Sequence, residues 1–199
     1  PIWRVDSTSQ ETPPITLPES MACEPNPNFD KTPSLATLTD AALKHLSHKN
    51  DTGLFLMVES ASIDKQSHRR MPCGSIGEAE QLEEVLEKAL AFAEDHPNTL
   101  ILVTADHAQG AQILPDPSYK DKLPLPAYSP GKIARVKTPE GGVMRINYAT
   151  TTHNSTEHTG ANVPLFGNSE ALGRVPAFLR QRDIYDLMMD YLALSKKSN

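Results

Sequence analysis

The chain has 199 residues, enough for one domain with a real core or for part of a larger one, with 38% apolar and 22% charged residues and a net charge of −6. Its basic residues form pairs, Arg69-Arg70 and Lys196-Lys197, and no stripe, so nucleic-acid binding has little support. No apolar run approaches the roughly 18 residues of a membrane span.

The chain opens at Pro1 without a signal-peptide pattern, as expected after removal of a leader or for a piece of something longer. Residues 1–31 lack periodicity and contain Pro13-Pro14, Pro18, Pro25 and Pro27, which predicts an extended lead-in. Thr32-Pro33 then reads as a helix start, Thr as N-cap and Pro at the first helical position. Leu35, Leu38, Ala42 and Leu46 supply one apolar stripe. Asp51-Thr52-Gly53 turns the chain into an apolar strand over 54–58.

After a turn at 71–74, the longest helix is expected over 76–94, with Ile76, Ala79, Leu82, Val85, Leu86, Ala89 and Ala93 on its apolar face. His96-Pro97-Asn98 ends it, and 100–104 reads as a second buried strand. Strand, helix and strand of these lengths predict a right-handed parallel crossover, so the fold class is α/β, part of a mostly parallel sheet flanked by helices. Residues 114–142, rich in Pro and Gly, read as a long excursion outside the core. A strand over 143–149, a short one at Pro164-Leu165-Phe166 and a closing amphipathic helix over 183–194 complete the series, with no internal repeat.

Three segments carry chemistry. The run VESASIDKQSH holds Glu59, Asp64 and His68, directly after the first apolar strand. Asp64 and His68 are four apart, so a helical turn stacks them on one face, where both can reach a single cation. In LILVTADHAQG, Asp106 and His107 sit at the end of the second strand, and a loop there can aim both at one metal. The third, EHTG, offers His158, with His153 a rival that spacing alone does not exclude. His45, His48 and His96 lie at helix ends or surfaces, where a cation near a helix C-terminus suffices as explanation. Carboxylates and imidazoles at the ends of strands make an open metal site. The Asp/His donors suit zinc, and the lone Glu59 suits a hard, oxygen-liganded cation.

Taken together, these segments resemble the alkaline phosphatase family of bacterial type. VESASIDKQSH is similar to that family's Val-Glu-Gly-Ala-Ser-Ile-Asp-Lys-Gln-x-His segment, VTADHA to its Val-Thr-Ala-Asp-His-Ala, and EHTG to its Glu-His-Thr-Gly. The resemblance covers roughly 20–199 and implies the C-terminal part of a single α/β phosphatase domain over 32–199. By this resemblance Asp64, His68 and His158 ligate a first zinc, Asp106 and His107 contribute to a second, and Glu59 joins a magnesium site. Lys65 then lies near the phosphate and the magnesium-bound waters. Ser60, where the family commonly has Gly, and Ser67, acidic in some relatives, are departures at positions that hold no metal. On composition alone Cys23 and Cys73 read at least as readily as buried thiols. Cys23-Glu24-Pro25-Asn26-Pro27 and Pro72-Cys73-Gly74 instead resemble a disulfide-bonded family pair, which implies an oxidising compartment, periplasmic or secreted.

The resemblance further implies hydrolysis of phosphate monoesters through a phosphoseryl intermediate in the intact enzyme, usually a homodimer. The nucleophilic Ser and the phosphate-clamping Arg are expected in an N-terminal half that this chain lacks. Asp6-Ser7-Thr8 imitates the nucleophile motif, but no helical pattern follows it. Arg69 and Arg70 have no clamping role by family position. The rival readings are a phosphodiesterase or phosphomutase of the same superfamily, which the Asp-Lys-Gln-x-His segment disfavours, and a non-catalytic metal-binding fragment.

Overall fold

The structure, a computed structural model, describes residues 17–29, 32–48, 52–116, 132–148 and 154–194. His153, the Asp6-Ser7-Thr8 motif and the lead-in as far as residue 16 lie outside the described residues. In chain order the elements are α1 (Leu35–His48), α2 (Ser62–His68), α3 (Pro72–Asp95), β1 (Leu102–Thr104), β2 (Ala108–Gln109), β3 (Gln112–Leu114), β4 (Ile133–Lys137), β5 (Val143–Asn147), β6 (His158–Thr159), β7 (Leu165–Gly167) and α4 (Asp183–Tyr191). By contact the chain divides into two units. The first comprises Pro1–Phe29, Ala61–Ala79 and Gln109–Thr159, and the second Asp30–Ser60, Glu80–Ala108 and Gly160–Asn199.

The first unit is built on an antiparallel sheet in the order β3-β5-β4. Its register sets Ile113 and Ala134 against Ile146, and Val136 against Met144. Because side chains alternate along a strand, these apolar residues share one face. That face packs Ala134, Val136, Ile146 and Tyr148 against Cys73 and Ile76 at the start of α3. The other face carries the in-register pair Arg135 and Arg145. Asp116, 1% exposed, accepts two hydrogen bonds from Arg135, Nε to Oδ2 at 2.8 Å and Nη2 to Oδ1 at 3.0 Å. That paired carboxylate raises the Arg135 pKa. The lead-in ends as an edge strand in miniature: Met21 bridges Val136 in parallel, donating from its N–H to Arg135 at 2.9 Å and accepting from Lys137 at 2.8 Å. Two residues later Cys23 is disulfide-bonded to Cys73, with Cα atoms 5.2 Å apart, so the bridge implied by the resemblance is present.

In the second unit β1 pairs antiparallel with β7, Val103 opposite Phe166. Asn168 locks the end of this ladder, its Nδ2 donating to Thr99 O at 2.7 Å and its Oδ1 accepting from Ile101 N at 3.1 Å. Val85 of α3 and Ala36, Thr39 and Leu43 of α1 are buried, and Gln81 of α3 accepts the Leu35 N–H at 2.8 Å.

Several expectations need correction. The α/β class stands, but the sheets of the described residues are small, β1 with β7 and β3-β5-β4 run antiparallel, and a mostly parallel sheet is not found among them. The run 54–58 forms no strand and joins no ladder among the described residues, and Phe55 and Met57 are exposed. An apolar run specifies extension and burial, whereas a ladder also needs a neighbouring strand to take its hydrogen bonds. Ser34, not Thr32, caps α1, its Oγ accepting the Thr37 N–H at 3.1 Å. The buried arc of α1 is correspondingly rotated, leaving Leu38 54% exposed. α3 begins at Pro72, a residue pre-set for the first helical position, so the expected turn at 71–74 is largely helix. The excursion 114–142 contains β4, a core strand, and residues 117–131 of it lie outside the described residues.

Candidate metal centre

Three donors meet in the first unit. Asp64 and His68 project from the same face of α2, and His158 arrives on β6, 90 residues after His68. His68 Nε2 and His158 Nε2 each lie 3.3 Å from Asp64 Oδ1, and the two nitrogens are 2.9 Å apart. A tetrahedral zinc ion with ligands at about 2.0–2.2 Å keeps their donor atoms about 3.3–3.6 Å from one another. The two edges from Asp64 hold the spacing of one face of such a tetrahedron, the edge between the two imidazoles is shorter, and among the described residues the three form the one such group. The His158 side chain is half-exposed, so solvent reaches the group.

The neighbours of these side chains orient them. His68 Nδ1 contacts the carbonyl of Thr156 and lies 3.0 Å from Ser155 Oγ. With its Nδ1 proton given to that carbonyl, the imidazole presents the lone pair of Nε2 to the other donors. The same two residues meet again through the backbone, Thr156 N donating to His68 O at 3.0 Å. Gln109 donates its side-chain N–H to Asp64 Oδ1, steadying the carboxylate. The backbone beside Gln109 is fixed to the strand of His158, by Gly110 N to Glu157 O at 3.1 Å and Thr159 Oγ1 to Gln109 O at 3.4 Å. Lys65 is exposed on the turn between Asp64 and His68.

The remaining expected ligands belong to the second unit. Asp106 and His107 follow β1 and approach each other, Oδ2 to Nε2, at 3.5 Å, a separation that two ligands of one ion can hold. The Asp106 side chain is 79% exposed, and its carbonyl accepts from Gln181 Nε2 at 2.7 Å. Glu59 is exposed, two residues before the N-cap position of α2. Gln109 and Arg70 escaped the sequence reading. For Gln109 there was a positional signal, two residues beyond His107; for Arg70, whose partners are backbone carbonyls, there was none.

An α/β chain that gathers a carboxylate and two imidazoles at the end of a helix and a neighbouring strand is, by fold and site, a candidate metalloprotein. It belongs to the alkaline phosphatase family, whose model matches residues 15–194. The alkaline phosphatase of Escherichia coli strain K12 is 40% identical over 177 residues, 88% of this chain and 35% of that protein. The streptomycin-6-phosphate phosphatase of Streptomyces griseus is 42% identical over 151 residues, 72% of this chain and 32% of that protein. The chain thus spans about a third of the length of these relatives. A solved structure of TAB5 alkaline phosphatase superposes with a TM-score of 0.59 at 21% identity, over 81% of this chain and 42% of that one, which supports the fold.

Proposed function

We propose that this chain supplies metal ligands to a zinc- and magnesium-dependent phosphatase that hydrolyses phosphate monoesters. The convergence of Asp64, His68 and His158 at ligand spacing carries the reading, because these residues come from two separate family motifs. Asp64, His68 and His158 hold the first zinc, Asp106 and His107 contribute to the second, and Glu59 contributes to magnesium. When bound, such ions offset the charge of the phosphate and of the leaving oxygen. The protein's own groups prepare the site. Thr156 fixes the tautomer of His68, Gln109 restrains Asp64, and Lys65 adds a cation for the phosphate. The serine nucleophile and its arginine clamp are assigned to sequence outside this chain, and Ser7 takes no part. The Cys23–Cys73 bridge supports a periplasmic or secreted location, and the resemblance supports a homodimer.

Zinc titration of the 199-residue chain is the test. The chain should bind zinc, and His158→Ala should weaken binding at least about tenfold. It should not hydrolyse p-nitrophenyl phosphate faster than free metal does. Joined to the nucleophile-bearing part of the enzyme it should, with Asp106→Ala removing most of the turnover. Hydrolysis by the chain alone that disappears in Ser7→Ala refutes the reading.

A further inference from the structure

α2 ends in a backbone turn that ordinarily belongs to glycine. Arg70 N donates to Ser67 O at 2.9 Å and Met71 N to Gln66 O at 3.0 Å, the paired bonds of a Schellman motif. The motif places Arg70 just past the cap with φ +60°, in the left-handed region that side-chain-bearing residues disfavour. Glycine there would relieve the backbone, so an arginine needs work for its side chain.

The structure shows that work. Arg70 Nη1 donates to the carbonyl of Asn154 and Nη2 to the carbonyl of Ser155, both at 2.9 Å. A planar guanidinium can hold two successive carbonyls at once, which a lysine ammonium on its flexible stem does poorly. The segment it grips continues through Thr156, which meets His68, to His158, the third donor. We propose that Arg70 is a positioning residue for the metal centre, strapping the segment that carries His158 onto the end of the helix that carries Asp64 and His68. This rests on the assignment of those three residues to one metal ion. Arg70 touches neither the ion nor the substrate; it acts through His158.

The left-handed backbone makes the test unusually clean, because Arg70→Gly removes the strap while easing the turn. Zinc and cobalt affinities are measured on the 199-residue chain for wild type, Arg70→Gly, His158→Ala and the double variant, with the visible cobalt bands recorded. Arg70→Gly should lose about ten- to a hundredfold in affinity and alter the cobalt spectrum, within the range for residues that orient metal ligands. In the His158→Ala background it should cost nothing further, since the residue it positions is gone. The metal-free Arg70→Gly chain should melt no lower than wild type, yet its Thr156 amide should exchange faster. Arg70→Lys, which keeps the charge and one hydrogen bond, should fall between and guards against a folding defect in the glycine variant. An unchanged affinity in Arg70→Gly, or an equal loss in both backgrounds, overturns the proposal alone. Wild-type chain that binds neither metal overturns the metal assignment, and the strap's purpose with it.

Discussion

Replacing both cysteines with serine, Cys23→Ser and Cys73→Ser, releases a closed loop whose ends are 50 residues apart in sequence. In the chain-entropy description, such a crosslink lowers the entropy of the unfolded chain by an amount that grows with the logarithm of loop length, worth about 4 kcal/mol here at 25 °C. Little in the folded state counters this. Cys23 is exposed, so its new hydroxyl meets water, and half-buried Cys73 packs against the apolar face of the sheet, where a hydroxyl adds to the loss. The Met21 bridge keeps its two backbone hydrogen bonds in the variant. Urea unfolding followed by far-ultraviolet circular dichroism, in chelator so that metal binding adds nothing, measures the loss. With a slope of about 2 kcal/mol per molar urea, the midpoint should fall by about 2 M. A loss under about 1 kcal/mol refutes the reasoning, because it shows that the reduced, unfolded chain already holds the two segments together.

Two further outcomes are expected. In Gly167→Ala the new methyl meets the Ala171 side chain and comes to 3.0 Å from Ile101 O. Both neighbours belong to packed structure, so the variant should be destabilised by about 1–3 kcal/mol in thermal unfolding, and an unchanged melting temperature contradicts the packing described. Burial pushes the Tyr148 phenol up to about 12, whereas an unfolded tyrosine titrates near about 10. The folded state therefore keeps a proton that the unfolded state loses, and stability should fall as pH rises from about 10 to 12. Phenolate absorbance read beside unfolding checks this, and Tyr148 titrating at its ordinary value refutes it.

The longer helices and the shared face of Asp64 and His68 were legible because their signals are local. Asp64 and His68 need only a helical turn to share a face, and α2 provides it. The sheet was less legible because pairing is a relation between distant segments. Residues 54–58 have an apolar pattern, yet nothing within them names a partner strand. β4 was hidden differently: Ile133, Ala134 and Val136 lie in Pro-rich surroundings, and Arg135 reads as a surface residue. Asp116, 19 residues away, pairs with that arginine on the face of β4 opposite the core. Arg70 shows the same limit at the site, since its partners are main-chain oxygens that every residue carries.

The distance along the chain from His68 to His158 also orders events in folding. α2 has 7 residues, too short to persist alone in water, where helices below about 12–15 residues are marginal. An unfolded chain therefore does not display Asp64 and His68 as a pair. The third donor comes from 90 residues downstream, and its arrival waits on slow long-range closure. Completion of the donor set is therefore expected late in folding, after the segments that carry it have met. An ion bound to such a late-formed set is expected to slow unfolding more than it speeds folding.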